Sequence, residues 1–258
     1  MKQENNPLNL NEKEILFGEW CKKENIKRFL FDLDDTICPT RPVFRKVMSK
    51  ACDFLAINSS TLTKEHWMNE IEVVNNRLFE QLGVNSNRWD YVVDELSVKY
   101  FFDKDIKNSV KSIFQQIYKT PLTMLDGAEE GLEFISKTGI PMGIVTHAGL
   151  EWTSQKYGWL GLDRFLKWED VFIVNENGHK TSKSWAQAIQ YFNLNVDNCV
   201  VIGDSPRSDI NPVWELGVRH CFLVDDLKQW SVHNQPVNPN VYKISRLDQI
   251  PDVVLGIN

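Results

Sequence analysis

Arg28-Phe29-Leu30-Phe31 runs directly into Asp32-Leu33-Asp34-Asp35-Thr36, so a short apolar segment ends in a cluster of acids. Three later apolar segments have the same form: residues 141–145 precede Thr146, residues 199–203 precede Asp204, and residues 221–224 precede Asp225 and Asp226. Segments of this length, separated by helical stretches, are typical of strands in a parallel sheet that is covered on both faces. Ligands bind at the carboxyl ends of such strands, so we expect three of the four terminal groups to meet in one crevice.

Length and composition limit the class of protein. A chain of 258 residues holds one large domain or one domain with an insertion. The net charge is −6 and the basic residues are scattered, which argues against a nucleic-acid partner. No apolar stretch approaches about 18 residues, so no membrane span is predicted. The polar N-terminus lacks the apolar part of a signal peptide, and the five widely spaced cysteines favour a reduced, cytoplasmic setting. Nothing in the pattern indicates an oligomeric state.

The order of the predicted elements divides the chain into two parts. Residues 1–41 and 119–258 carry the strand segments and are expected to form an α/β core. Within it, residues 1–27 are expected to form a leader helix on the outside, with Asn11 as its N-cap. Residues 42–118 show helical periodicity in four segments, at 43–57, 63–82, 88–102 and 106–118. Helices alone, inserted between two strands of a parallel sheet, predict a small all-α bundle over the crevice.

The first acidic cluster is suited to covalent phosphate chemistry. A carboxylate at Asp32, where the strand ends, can attack phosphorus and form an acyl-phosphate. Asp34 lies two residues further on, so a short loop can bring it to the leaving-group side. There it can protonate the departing oxygen and later activate water. The structural alternative is an acidic turn, because Asp and Thr are common turn residues.

A second acidic pair favours a metal site. Gly203-Asp204-Ser205-Pro206-Arg207-Ser208-Asp209 places two more acids just past another buried segment. Several carboxylates in one crevice repel one another strongly unless a cation lies between them. Mg²⁺ prefers hard oxygen ligands, so we expect Asp32 and Asp204 to bind it directly, together with the backbone carbonyl of Asp34. Asp209 binds it directly or through a water molecule.

Two further segments supply groups for a phosphoryl oxygen. The Thr146 hydroxyl and the backbone N–H groups that follow, at His147 and Ala148, can hold such an oxygen. A lysine is needed to balance the charge beside the first acidic cluster, and Lys180 and Lys183 both precede a helix. If Ser182 caps that helix, Lys180 faces the crevice; if Ser184 caps it, Lys183 does.

With these elements in order, the chain resembles the haloacid dehalogenase (HAD) superfamily over residues 27 to 252. Asp32-Leu33-Asp34-Asp35-Thr36 matches the first family motif, Val145-Thr146 the second, the Lys180 and Lys183 segment the third, and Gly203-Asp204-Ser205 with Asp209 the fourth. The resemblance implies a Rossmann-like parallel sheet, Mg²⁺-dependent phosphoryl transfer through an aspartyl-phosphate, and a C1-type helical cap formed by the insertion. The segment from Asp126 to Gly149 further resembles the phosphatase branch.

The sequence departs from the family pattern at three places. His147 and Ala148 follow Thr146 where many relatives carry Asn and a small or polar residue, so His147 either contacts substrate or packs. The third motif reads Lys180-Thr181 rather than Lys-Pro. The founding dehalogenases lack an acid at the position of Asp34, so its presence disfavours carbon–halogen cleavage.

Three functions are compatible with these residues. The leading hypothesis is a Mg²⁺-dependent phosphatase that acts on a small phosphorylated metabolite, such as a sugar phosphate or a nucleotide. A second is phosphoryl transfer to an acceptor, as in a mutase, because acceptor choice depends on how the cap closes and excludes water. A third is a non-catalytic binding protein that keeps the fold.

Overall fold

A parallel sheet lies at the centre of the computed structural model, which describes residues 9–58, 62–85, 87–176, 178–225 and 235–257. Within these residues the strands are β1 (Arg28–Phe31), β2 (Met142–Thr146), β3 (Val171–Ile173), β4 (Cys199–Gly203), β5 (His220–Val224) and β6 (Tyr242–Ile244). Their order is β3-β2-β1-β4-β5-β6, and every neighbouring pair is parallel. The predicted α/β fold with a Rossmann-like parallel sheet is therefore confirmed. Asp226 lies outside the described residues, as do residues 1–8 of the predicted leader.

The described helices are α1 (Leu10–Lys23), α2 (Arg41–Asn58), α3 (Lys64–Leu82), α4 (Arg88–Lys99), α5 (Lys104–Gln115), α6 (Ala128–Ser136), α7 (Leu150–Trp159), α8 (Ser182–Tyr191), α9 (Asn211–Leu216) and α10 (Ile250–Leu255). The alternation of side chains along β1 explains why helices cover both faces of the sheet. Phe29 and Phe31 point into a cluster with α1, α6 and α10, whereas Leu30 points into a cluster with α8 and α9. None of the described helices is both long and apolar enough to cross a membrane.

The register of the central strands brings their carboxyl ends level with one another. Phe31 pairs with Ile144 of β2 on one side and with Ile202 of β4 on the other. The next residue, Asp32, continues this pairing, because its backbone N–H donates to the Ile202 carbonyl at 2.9 Å. The residues that end these three neighbouring strands therefore face the same edge of the sheet.

Helices α2 to α5 lie between β1 and β2 in the chain and surround a second apolar cluster. Its members include Trp67, Trp89 and Phe114, which are almost fully buried. The first and last residues of these helices lie within two residues of the four predicted segments, except at the ends of the third and fourth. The segment predicted over 88–102 stops at Lys99, and Phe101 has φ +55°, which does not continue a right-handed helix. The predicted end at 118 is formed by a short 3₁₀ turn, Gln116–Lys119, after α5.

The leader helix α1 packs on the outside of the sheet through one side of its surface. Its N-cap is Asn9 rather than Asn11: Asn9 and Glu12 form a reciprocal capping box, with hydrogen bonds of 3.0 and 2.9 Å. Phe17 is fully buried and lies 6.0 Å from Phe29 and 5.5 Å from Phe134, centroid to centroid. The helix is therefore an integral part of the core rather than a loose extension.

We expect Phe17→Ala to lower the free energy of unfolding by about 3–5 kcal/mol, the usual cost of removing a buried aromatic ring. The matched control is Ile15→Ala on the same helix, where the side chain is 54% exposed and the change is expected to stay within about 0.5 kcal/mol. Urea denaturation followed by circular dichroism measures both. Equal effects of the two substitutions would contradict the packing of α1 described here.

Candidate active site

Asp32 is the first residue after β1 and is almost completely buried. Its Oδ1 forms an ion pair with Lys180 Nζ, and its Oδ2 accepts a hydrogen bond from the Thr36 hydroxyl at 3.3 Å. Burial raises the pKa of Asp32 to about 7; the Lys180 charge opposes this shift, and the charges of Asp209 and Asp34 add to it. The carboxylate is thus fixed at the strand end and needs cations beside it to stay ionised at neutral pH.

Lys180 connects three parts of the sheet edge. Besides Asp32, its Nζ lies 2.6 Å from Asp209 Oδ1 and donates to the Val145 carbonyl of β2 at 3.0 Å. Two carboxylate oxygens and one carbonyl oxygen therefore surround the ammonium group. Burial by itself would lower the pKa of Lys180, but Asp209 and Asp32 outweigh it and raise that pKa above its ordinary value. Lys180 is therefore a permanent positive charge at the centre of the site.

The second acidic pair follows β4. Asp209 lies in a single π-helical turn, Pro206–Ile210, and its Oδ2 accepts from the Ser205 backbone N–H at 3.0 Å. This turn folds back closely over the strand: a Cβ at Gly203 would lie 2.4 Å from the Asp209 Cβ. Only glycine at this position lets Asp209 approach, and such π-turns are frequent at functional sites.

Asp204 is buried and paired with a residue from α2. Its Oδ2 lies 3.0 Å from Arg41 Nη2. Burial raises the pKa of Asp204 well above its ordinary value, the charges of Asp32, Asp209 and Asp35 raise it further, and Arg41 opposes the shift. The carboxyl group therefore gains from any additional positive charge placed between it and its acidic neighbours.

The donor set fits a small divalent cation. One carboxyl oxygen from each of Asp32, Asp204 and Asp209 lies within 4.8 Å of the others, and all three residues are buried. Hard oxygen donors at this spacing are what Mg²⁺ prefers. The charges agree with this fit. The three acids contact two basic side chains, Lys180 and Arg41, so the carboxyl groups outnumber the positive charges paired with them.

Asp34 faces a different partner from the other acids. Both of its carboxyl oxygens bind Lys156 Nζ, at 2.6 and 2.8 Å. Its side chain is 28% exposed, whereas that of Asp32 is 9% exposed and that of Asp209 is 1% exposed. Asp34 is thus the member of the group most open to the crevice.

Asp35 forms the turn that separates the acidic cluster from α2. Its φ of +59° lies in the left-handed region, which costs a non-glycine residue about 1 kcal/mol. The conformation is held by side-chain contacts, since its carboxylate accepts from the Thr40 hydroxyl at 3.1 Å and from the Arg41 backbone N–H at 2.9 Å. The turn thereby fixes Arg41 at the start of α2, within reach of Asp204.

Thr146 ends β2 and is fully buried, and its hydroxyl oxygen accepts from the Ala148 backbone N–H at 3.2 Å. The His147 ring lies 2.5 Å from the Glu176 carbonyl through its Nε2, and burial lowers its pKa, which favours the neutral ring. Ala148 packs in the cluster of helices α2 to α5. Of these three residues, the structure brings Thr146 to the sheet edge, and it packs the His147 ring against the loop at 174–176.

The two candidate lysines have different positions. The N-cap of α8 is Thr181, whose hydroxyl accepts from the Ser184 backbone N–H at 3.3 Å, and so neither Ser182 nor Ser184 caps the helix as expected. The helix begins at Ser182, two residues after Lys180, which leaves that lysine in the loop and buried at the site. Lys183 is exposed on the first turn of α8. The structure therefore brings Lys180, and not Lys183, to Asp32.

The sequence did not predict how two basic residues of the site, Lys156 and Arg41, pair with its acids. Lys156 lies on the face of α7 that also buries Trp152 and Thr153, and a lysine at helical spacing from such residues was the available signal. Arg41 gave no such signal, because its role depends on the left-handed turn at Asp35. Helix periodicity could have indicated Lys156, whereas the contact of Arg41 with Asp204 follows only from the three-dimensional structure.

Comparison with known proteins agrees with this arrangement. A sequence profile of the haloacid dehalogenase-like hydrolases matches residues 26–211. A curated relative, the glyceraldehyde 3-phosphate phosphatase of Pyrococcus furiosus, is 26% identical over 197 residues, which cover 75% of this chain and 79% of the relative.

Solved structures show the same fold at low identity. A haloacid dehalogenase-like hydrolase from Xanthomonas campestris superposes with a TM-score of 0.73 at 17% identity and covers 90% of this chain and 92% of its own. The L-2-haloacid dehalogenase of Xanthobacter autotrophicus superposes with a TM-score of 0.63 at 13% identity, covering 90% and 100%. At these identities the likeness shows the fold alone.

The profile match spans most of the chain and includes the strands β1, β2 and β4, with the acids that follow β1 and β4 and Thr146 at the end of β2. The family and the hydrolase class predicted from the motifs are thus confirmed. This chain belongs to the haloacid dehalogenase-like hydrolase family.

Proposed function

We propose that this enzyme is a Mg²⁺-dependent phosphatase that hydrolyses a small phosphomonoester through an aspartyl-phosphate on Asp32. The observation that carries the proposal is the position of Asp32, held at the end of β1 by Lys180 and surrounded by Asp204 and Asp209. The curated relative is itself named a phosphatase, which supports the same reaction class. A cytoplasmic location and a small phosphorylated metabolite as partner belong to this proposal.

The first half of the reaction forms the covalent intermediate. A carboxylate oxygen of Asp32 attacks phosphorus while the bond to the leaving oxygen breaks and its electron pair goes to that oxygen. Asp34, in its protonated form, gives the leaving oxygen a proton. Lys180 and the hydroxyl and backbone N–H groups around Thr146 balance and orient the phosphoryl oxygens.

The second half returns the enzyme to its starting state. A water molecule attacks the phosphorus of the acyl-phosphate, and Asp34, now a carboxylate, takes one of its protons. The bond between phosphorus and the Asp32 oxygen breaks, so the carboxylate is restored and inorganic phosphate leaves. Asp34 thus serves first as the acid for the leaving oxygen and then as the base for the attacking water.

The residues proposed to hold Mg²⁺ are Asp32 and Asp204, with the backbone carbonyl of Asp34, and Asp209 directly or through water. A bound Mg²⁺ supplies positive charge that offsets the developing charge on the phosphoryl oxygens. The same charge keeps the carboxyl group of Asp32 ionised beside its acidic neighbours.

Helices α2 to α5 are proposed to form the cap, within residues 42–118. One contact of α3 reaches the loop that carries Lys180, since the Phe79 ring is 5.3 Å from the His179 ring, and a second reaches the π-helical turn after β4, since Glu80 is 3.6 Å from Arg207. The cap therefore reaches the phosphate end of the crevice, where its side chains can select the rest of the substrate.

We expect Asp32→Asn to lower phosphate release by about 10³-fold or more, as nucleophile removal does in other covalent enzymes. The test is a panel of phosphorylated metabolites, including three-carbon sugar phosphates, with malachite green detection of inorganic phosphate and circular dichroism as the folding check. Asp225→Asn is the matched control, because Asp225 also follows a strand but is 39% exposed and pairs with Lys243. Full activity of folded Asp32→Asn would refute the proposed mechanism.

The raised pKa of Asp32 predicts how its effect on stability depends on pH in metal-free protein. Between the ordinary value near 3.8 and about 7, the folded state keeps a proton that the unfolded state has lost. Stability due to this group therefore falls as pH rises through that range. In EDTA, the free energy of unfolding of wild type should therefore fall relative to that of Asp32→Asn as the pH is raised from 4 to 7, as measured by urea denaturation. A constant difference would contradict the pKa shift.

Gly203→Ala tests the proposed metal site away from the nucleophile. The added methyl group displaces Asp209, and we expect Mg²⁺ affinity to fall about 10- to 100-fold, as for other residues that support metal ligands. Isothermal titration calorimetry of EDTA-treated protein gives the dissociation constant. Gly158→Ala on α7 is the control, since apart from its chain neighbours and the backbone of its own helix no atom lies within 4 Å of the added Cβ. Unchanged affinity in folded Gly203→Ala would count against Asp209 as a ligand.

A further inference from the structure

Lys156 is a fully buried lysine that contacts both an acid and an aromatic ring. It is 0% exposed, and its ammonium group lies between the Asp34 carboxylate and the Trp152 ring, whose centroid is 3.9 Å from Nζ. A buried lysine is costly unless it is paired, and the aromatic face adds an attraction of its own. Lys156 is therefore held at one point by groups on both sides.

The contact with Asp34 fixes the direction of its carboxyl group. Both oxygens bind the same nitrogen, at 2.6 and 2.8 Å, so rotation about the side-chain bonds would break at least one hydrogen bond. Asp34 is also the most exposed acid of the cluster and the one proposed to exchange a proton with the leaving oxygen. Proton transfer requires the two heavy atoms to lie within hydrogen-bond reach, so its rate depends on this direction.

The same lysine connects Asp34 to the helical insertion. Trp152, which covers the ammonium group, lies 5.8 Å from the Phe44 ring of α2 and 5.1 Å from the Tyr118 ring, centroid to centroid. Helix α7 supplies both Trp152 and Lys156, four residues apart on one face. The position of the Asp34 carboxyl group is thus set by the packing of α7 against α2 and the 3₁₀ turn at 116–119.

We infer that Lys156 is a positioning residue for the reaction, which holds the Asp34 carboxyl group in line with the leaving oxygen of the substrate. The inference rests on the proposed function and deepens it. Lys156 has no contact with phosphorus in this scheme and acts through Asp34 alone. Its importance therefore depends on how much the leaving group needs a proton.

Two substrates whose leaving groups differ in their need for a proton distinguish a positioning role of Lys156 from a purely structural one. The nitrophenolate of 4-nitrophenyl phosphate departs without a proton, whereas the alkoxide of glycerol 2-phosphate needs one as the bond to phosphorus breaks. Lys156→Met removes the charge and the donors but keeps the length of the chain. We expect it to lower kcat/KM for the alkyl substrate by about 10- to 100-fold, within the usual contribution of an acid catalyst, and for the aryl substrate by less than about threefold. The quantity kcat/KM is used because it reports steps up to departure of the leaving group.

Controls make the outcome unambiguous. Lys167→Met removes a side chain that is 79% exposed and should leave the ratio of the two kcat/KM values as in wild type. In an Asp34→Asn background, Lys156→Met should cause little further loss with the alkyl substrate, because its effect passes through Asp34. Lys156→Gln, which keeps two N–H donors but not the charge, serves as the second variant if Lys156→Met does not fold, and should lower the ratio less.

The results distinguish failure of the inference from failure of the proposed function. Wild-type protein that releases phosphate from neither substrate, nor from the metabolite panel, refutes the phosphatase and the inference with it. Wild-type turnover of both substrates, with an equal loss for both in folded Lys156→Met or an unchanged ratio in folded Lys156→Gln, refutes the inference alone.

Discussion

The ion pair between Asp32 and Lys180 is the contact on which the rest of the site depends. Asp32 comes from the end of β1 and Lys180 from the loop before α8, and neither group is accessible enough to be stabilised by water. A buried charge without its partner would be strongly destabilising. The chain therefore brings four segments to one place: the ends of β1 and β2, the turn after β4 and the loop before α8. The acids around this pair outnumber the basic groups paired with them, and three of them lie close enough together to hold a metal ion.

Backbone geometry determines how closely these segments approach. The parallel register of β2, β1 and β4 makes the three strand ends level, and the missing Cβ at Gly203 allows Asp209 to fold back over β4. The left-handed turn at Asp35 then directs Arg41 from α2 toward Asp204. The strain of that turn is small beside the cost of an unpaired buried carboxylate. Local conformations that are individually unfavourable are thus stabilised by the charges they bring together.

The sequence was sufficient to predict β1, β2, β4 and β5, the helices between β1 and β2, and the acids at the strand ends, because these follow from apolar periodicity and from polar residues at fixed places. It left the choice between Lys180 and Lys183 open, since that choice depends on which residue caps α8, and the cap is Thr181. It did not predict Lys156 as a partner of Asp34, because the two residues meet only when α7 is docked against the sheet edge. A single sequence carries least information about contacts between side chains that lie far apart in the chain.

The apolar interior of helices α2 to α5 is completed by Ala148 and Trp152, which come from the segment after β2. The helical part is for this reason not a self-contained module. If helices α2 to α5 were excised, Trp152 would lose the side chains that bury it. The excised helices would in turn lose two residues of their apolar core, Ala148 and Trp152. Replacing these helices with a different helical insertion would accordingly require the first turn of α7 to be replaced with them.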